Sequence, residues 1–112
     1  MDKRLSKTAS PARRKRPISL SQFVGRWQQD DGDSSAAYEV RIKAAKPVVT
    51  GIDQHDGERF RISGISWDGE ALSFSAFMPS TKWRTWHRLT LLRPGLVRHE
   101  LTTVERWKRV TS

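Results

Sequence analysis

An alternating triplet of arginine, tryptophan and arginine is the part of this sequence best suited to binding chemistry. Arg84, Trp86 and Arg88 share one face of a predicted strand, because side chains two residues apart point the same way. If that face is exposed, the indole can stack on a nucleic-acid base while the guanidinium groups hold phosphates. Exposed aromatic side chains also mark protein interfaces, so Phe77 and Trp86 are candidates for a homodimer or partner contact. If the faces are reversed, Trp86 is a core residue.

A second basic cluster lies near the amino terminus. Residues 1–17 hold seven lysines and arginines and one aspartate, so they carry 7 − 1 = +6 of the formal charge of +9. Four consecutive cations suit phosphate binding or a nuclear-import signal, and a solvated tail is the plain alternative: Arg13, Arg14, Lys15 and Arg16. Because this tail has few apolar side chains to offset the entropy cost of ordering, it is predicted to be disordered.

The histidines and acidic residues do not form an evident metal or catalytic site. His87 and His99 lie on strands predicted to be neighbours, but no carboxylate or thiolate accompanies them, and the chain has no cysteine. His87 is interpreted as a hydrogen-bonded polar group in the interior or as a contact to a ligand. The acidic loop at residues 30–35 lacks the glutamate that a calcium-binding loop requires. No nucleophile elbow or phosphate-binding loop is present, so no metal, no cofactor and no enzymatic activity are predicted.

Short alternating segments separated by turn signals position these residues. They predict one small all-β domain over residues 18–112, behind the disordered tail at residues 1–17. A short turn of helix is expected at residues 19–22, a break at Pro47 and a bulge at Ser63-Gly64. Eight strands are predicted, at residues 23–29, 38–43, 48–52, 58–67, 72–78, 83–92, 96–101 and 104–110. The predicted fold is a single antiparallel up-and-down β-barrel.

The first predicted strand carries the sequence Phe23-Val24-Gly25-Arg26-Trp27, an F-x-G-x-W pattern. It resembles the opening strand of the calycins, which include lipocalins, fatty-acid-binding proteins and avidins. The resemblance implies a barrel closed by pairing of the first and last strands, with Trp27 across its floor beneath Arg106 or Arg109. Gly25, between two large rings, is expected to let a neighbouring group approach closely.

These features favour a non-catalytic binding protein whose barrel holds a small apolar or aromatic molecule. The residues expected to line that interior are Trp27, Tyr38, Phe60, Phe74, His87 and Leu89. Trp27 has a purely structural alternative as the barrel plug, and the interior of so small a barrel is often filled by side chains. The other hypotheses are a protein-interaction or homodimer module on the outer face, and a nucleic-acid binder that uses the tail and the triplet. No apolar run is long enough to span a membrane, so a cytoplasmic protein is predicted, or a nuclear one through the basic run.

Overall fold

A computed structural model describes residues 18–29 and 35–111, and within them the fold is all-β. The elements are a 3-10 helix (Leu20–Phe23) and seven strands: β1 (Gly25–Trp27), β2 (Ala36–Lys43), β3 (Lys46–Asp53), β4 (Arg61–Trp67), β5 (Ala71–Met78), β6 (Trp83–Arg93) and β7 (Leu96–Thr103). They form two antiparallel sheets, in the orders β1-β2-β3 and β4-β5-β6-β7. The basic tail, with Arg13, Arg14, Lys15 and Arg16, lies outside the described residues. Among those that are described, no helix is long and apolar enough to cross a membrane.

The two sheets follow one another as a meander. A single bridge between Ile52 and Arg59 joins β3 to the segment that leads into β4. The Phe60 amide also donates to the carbonyl of Gly51 at 2.9 Å. In the described part of the chain, β1 and β7 each pair with a strand on one side only. The sheets therefore form a connected meander, and its closure into one barrel stays a prediction.

The amino-terminal end of the fold is a capped helical turn rather than the start of a strand. Ser19 and Gln22 form a capping box, in which the Ser19 amide donates to the Gln22 side chain at 2.9 Å. The helix ends at Phe23, whose ring is fully buried and meets Trp67 edge-on at a centroid distance of 5.2 Å. The predicted helical turn is thus confirmed, and the first strand is shorter than the predicted span of residues 23–29.

The expectation of a close approach at Gly25 is wrong. A Cβ atom placed there would have no atom within 4 Å, so the position is open. The backbone has φ of +139°, a conformation that residues with a side chain rarely adopt. Glycine is therefore required here by the path of the backbone as the chain enters β1.

Two further expectations about strands have opposite outcomes. Pro47 does not break the sheet, because it lies inside β3 and pairs with Ile42 of β2. The connection is instead the two-residue turn at Ala44 and Ala45, with φ of 52° and 66°. The predicted bulge in β4 is confirmed by a register shift between Ser63 and Ser66.

The predicted eighth strand at residues 104–110 is wrong. β7 continues without a turn to Thr103, and residues 104–111 form no strand. Arg106 and Arg109 are exposed in this segment. Among the described residues the only arginine over an aromatic ring is Arg84, above Phe77, so the expected stacking of Arg106 or Arg109 on Trp27 is absent.

Apolar side chains from both sheets and from the helical turn form the core. The fully packed members are Phe23, Val40, Val49, Leu72, Phe74 and Leu89. Trp27, Tyr38, Ile62, Ile65 and Trp67 are half-buried against them. The inward faces of β2, β3, β5 and β6 therefore meet each other in one core.

Candidate functional site

The six residues predicted to line an interior cavity are close together and pack against one another. The ring of Tyr38 lies 5.8 Å from that of Phe60 and 5.2 Å from that of Phe74, measured between centroids. Phe74 in turn stacks on His87 at 4.8 Å. Leu89 is buried in the same cluster, and the Trp27 indole donates to the Phe23 carbonyl at 2.7 Å. In this structure five of the six side chains are buried in the core or pack against it, and Phe60 contacts the Tyr38 ring from outside the core.

Gly51 makes room for this aromatic cluster, and sequence analysis did not single it out. Gly51 pairs with Tyr38 across β2 and β3. A Cβ atom at this position would lie 2.7 Å from the Tyr38 ring and 2.9 Å from the Phe60 ring. The aromatic rings can cross the sheet only because position 51 carries no side chain.

His87 is the polar centre of the interior, and both of its ring nitrogens have partners. Its Nε2 lies 2.7 Å from the Thr85 hydroxyl and 3.4 Å from the Tyr38 hydroxyl, and its Nδ1 lies 2.8 Å from Nε2 of His99. The two imidazole planes are within 4° of parallel with centroids 5.0 Å apart, so this bond joins the rings edge to edge. A neutral imidazole supplies one donor and one acceptor, which satisfies this arrangement.

The interior network favours neutral groups. Burial, and then the neighbouring His99, lower the pKa of His87 to about 4. Partial loss of water also lowers the pKa of His99, which lies at the exposed end of the network, and burial raises the pKa of Tyr38 to about 12. No group of three or more potential metal ligands occurs among residues 18–29 and 35–111. The network is therefore a set of hydrogen bonds among groups that are neutral at neutral pH.

The outer face of β4–β7 brings together the second set of predicted residues. Across the strands, Arg61 pairs with Phe77 and Phe77 with Arg84. In the next two rows Ser75, Trp86 and Thr102 are adjacent, as are Ser73, Arg88 and Glu100. Phe77, Arg84, Trp86 and Arg88 therefore share one surface, as predicted. This surface, which we call the outer face, consists of Arg61, Ser63, Ser66, Ser73, Ser75, Phe77, Arg84, Trp86, Arg88, Thr90, Arg98, Glu100 and Thr102.

Arg84 is held against the sheet by three neighbours. One guanidinium nitrogen, Nη1, donates to the hydroxyl of Ser75 at 3.1 Å and lies 3.4 Å from that of Ser63. The two hydroxyl groups are themselves 2.8 Å apart. The guanidinium carbon lies 5.2 Å from the centre of the Phe77 ring, a cation–π contact. The charge of Arg84 is thus fixed in place, and its other N–H groups have no partner among the described residues.

Trp86 forms one wall of a shallow groove on the outer face. The groove has a volume of about 390 Å³, and its polar lining includes Ser73, Ser75, Thr102, one cation, Arg88, and one carboxylate, Glu100. Trp86 is 42% exposed, although it stands in the middle of the sheet with strands on both sides. A large aromatic surface is therefore open to solvent, beside hydroxyl groups and one pair of opposite charges.

The outer face has an excess of positive charge. Its four arginines and one glutamate give 4 − 1 = +3. Glu100 partly neutralises Arg98 through an exposed ion pair of 3.6 Å. Backbone hydrogen bonds from Ala71 and Glu70 lower the pKa of Asp68, and the nearby Arg88 contributes to this shift. Arg61 and Arg84 have no acidic partner in the described part of the chain. Sequence analysis missed Arg61 and Arg98, because their place on this face follows only from the strand register.

Comparison with known proteins finds no family model, no curated protein and no solved structure that matches this chain. The resemblance of the F-x-G-x-W sequence to calycins therefore stays a prediction. The proposed function therefore rests on the chemistry of the outer face.

Proposed function

We propose that the protein binds single-stranded nucleic acid on the outer face of β4–β7. The observation that carries this proposal is the exposed ring of Trp86 at the centre of a polar, arginine-rich sheet face. Proteins that bind single strands combine aromatic platforms for the bases with cations that follow the backbone. The outer face offers both components on rigid strands.

The geometry favours an unpaired strand over a duplex. A base can stack on Trp86 only if its own face is free, whereas bases inside a duplex are already stacked. The hydroxyl of Ser75 is buried and already bonded to Ser63 and Arg84. Ser73 and Thr102 line the groove, and their hydroxyl groups suit hydrogen bonds to phosphate or sugar oxygens. Because these contacts do not read base edges, the expected binding has little sequence preference.

The composition of the outer face supports nucleic acid over a protein partner. Interfaces between folded proteins have mostly apolar centres, in which tryptophan and arginine are enriched and serine is depleted. Here the cross-strand neighbours of Trp86 are Ser75 and Thr102, so no apolar centre surrounds the ring. A homodimer or partner contact through Phe77 and Trp86 is therefore less well supported, since Phe77 is already covered by Arg84.

A calycin-like barrel around a small apolar ligand stays a prediction that we do not favour. It would require residues 104–110 to pair with β1, and these residues form no strand. It would also require the rings of Tyr38, Phe60 and Phe74 to separate, although they contact one another. Placement in the cytoplasm or nucleus likewise stays a prediction.

Fluorescence anisotropy with labelled oligonucleotides tests the proposal. The full chain should bind an oligothymidine of about 15 nucleotides more tightly than a duplex of the same length. Affinity should fall steeply between about 50 and 200 mM salt, because bound phosphates release counterions. Deleting residues 1–17 should weaken binding to all sequences but leave the preference for single strands. Absence of binding at low salt, or binding that does not change with salt, would overturn the proposal.

A further inference from the structure

A carboxylate lies in the groove where the proposed function places a negatively charged strand. Glu100 lines the groove beside Trp86, and it is the one acidic residue among those that form the outer face. A phosphate group next to this carboxylate would be repelled by it. A base carries no charge, so the position next to Glu100 suits the base of a nucleotide rather than its phosphate.

The Glu100 carboxylate is free to accept hydrogen bonds from a ligand. Its one ion pair among the described residues is the contact of 3.6 Å with Arg98. Both side chains are largely exposed, at 65% for Arg98 and 49% for Glu100, and such solvated pairs contribute little. Within residues 18–29 and 35–111, no hydrogen bond to this carboxylate is formed. A ligand can therefore use its acceptor oxygens without breaking a strong contact.

The strand register places Glu100 diagonally across from Trp86. Thr102 of β7 lies directly opposite Trp86, and Glu100 is two residues from Thr102 on the same face. Diagonal neighbours on adjacent strands are about 7 to 8 Å apart, which is within reach of aromatic and long side chains. A base stacked on the Trp86 ring can therefore turn its Watson–Crick edge towards the Glu100 carboxylate.

The carboxylate discriminates among bases because it only accepts hydrogen bonds. Guanine presents two adjacent donors on its Watson–Crick edge, N1–H and the N2 amino group, and these match the two carboxylate oxygens. Adenine and cytosine present one amino group beside an acceptor nitrogen. Thymine and uracil place their N3–H between two carbonyl oxygens, which a carboxylate repels. Paired hydrogen bonds to a charged group are among the strongest, so guanine is the base that fits best.

We propose that Glu100 makes the groove selective for guanine at the base that stacks on Trp86. This inference rests on the proposed function, because it requires a single strand on the outer face. Arg88 lies opposite Glu100 on β6 and also lines the groove, so it can donate to the guanine O6 atom. The hydroxyl contacts of the groove add no such preference. The selectivity therefore concerns one base of the bound strand.

Fluorescence anisotropy with four single strands of about 15 nucleotides tests this selectivity. One is oligothymidine, and in the others every third thymine is replaced by guanine, hypoxanthine or adenine. Adenine controls for the stacking of a purine, and hypoxanthine is guanine without its amino group. At about 50 mM salt the wild-type full chain should bind the guanine strand about fivefold or more tighter than the adenine strand. The hypoxanthine strand should lie between them.

Glu100→Gln tests whether this residue is the source of the preference. The amide has the same shape but puts an N–H group against one of the guanine donors, so the advantage of guanine should be lost. Binding of oligothymidine should stay the same or become tighter, because a negative charge is removed. Glu39→Gln is the matched control. Glu39 is an exposed glutamate on β2 in the other sheet, and its variant should keep the preference for guanine.

The outcomes separate this inference from the proposed function. Wild-type protein that binds the guanine and adenine strands equally would overturn the selectivity while supporting nucleic-acid binding. A preference for guanine that persists in Glu100→Gln would overturn the role of Glu100. If none of the four strands binds, the proposed function itself is overturned, and this inference with it.

Discussion

At the scale of single residues, Trp86 and Trp83 give a matched pair for testing the outer face. Both are on β6 and similarly exposed, at 42% and 48%, but alternation places them on opposite faces of the sheet. Trp86→Ala should weaken binding of an oligothymidine about fivefold to a hundredfold, the usual effect of losing one stacked base. Trp83→Ala should change it little. Anisotropy titrations compare them, and a larger loss for Trp83→Ala would place the binding surface on the other face.

His87 gives a prediction about pH. Its pKa is about 4 in the folded protein and 6.5 in the unfolded chain, so between these values the unfolded state binds more protons. The full stabilisation is present above pH 6.5 and is lost as pH falls towards 4. Between pH 7 and 5 the free energy of unfolding should drop by about 1 to 2 kcal/mol, a value reduced for partial solvation at the His99 side.

Urea titrations at several pH values measure this loss. His55 is exposed in a turn, so His55→Gln should leave the pH dependence unchanged, whereas His87→Gln should flatten it. The range above pH 5 separates the histidine from most carboxylates, which titrate at lower pH. A wild-type stability that does not change between pH 7 and 5 would contradict the buried neutral network.

The Arg84, Trp86 and Arg88 triplet and Gly51 show what the sequence alone could predict about single residues. The shared face of Arg84, Trp86 and Arg88 was predictable, because it depends only on alternation along one strand. Gly51 was not, because its role arises from the Tyr38 ring on the paired strand. The same is true of the hydroxyl groups that hold Arg84, since Ser63 and Ser75 come from two other strands. Properties that depend on one strand could therefore be predicted from the sequence, whereas properties that depend on the register between paired strands could not.

At the scale of elements, the β2–β3 turn carries a correctable strain. Ala44 and Ala45 both have positive φ, the geometry of a tight hairpin turn that Asn-Gly occupies best. Replacing them with Asn and Gly should raise the free energy of unfolding by about 1 kcal/mol, since the left-handed conformation costs residues like alanine about that much each. Urea denaturation measures the change.

An alanine in a regular strand provides the control for the loss of a methyl group. Ala76 is buried within β5, where the backbone has no positive φ. Ala76→Gly should therefore destabilise the protein by about 1 kcal/mol. If the turn variant is also destabilised, the backbone at residues 44 and 45 is not strained as described.

This turn also explains a limit of sequence prediction for elements. Two alanines give no turn signal, so the sequence predicts the break at Pro47, two residues after them. The strands around the bulge and through β5 were predictable from their alternation and their flanking aspartate-glycine pairs. The eighth strand was expected from the regular spacing of short segments, and its pairing with the first strand only from the calycin resemblance, whereas residues 104–110 show no apolar/polar alternation of their own.

At the scale of the whole molecule, the core and the proposed binding surface lie on opposite faces of the β4–β7 sheet. The inward faces of the sheets are occupied by the core, and the aromatic cluster around Tyr38 is packed against His87. The outer face of β4–β7 is open, basic and aromatic. The carboxyl-terminal residues 104–110 project from the end of β7.

The five tryptophans allow the most direct test of the outer face, because each gives a separate indole N–H signal in a ¹H–¹⁵N spectrum. An oligothymidine is added to the labelled full chain at low salt. We predict that the Trp86 indole signal shifts first and most, together with the amide signals of Arg84 and Arg88. The indole signals of Trp27 and Trp67, which pack against the core, should not shift. A titration in which Trp86 does not move, or in which Trp83 or Trp107 moves instead, would contradict nucleic-acid binding on this face.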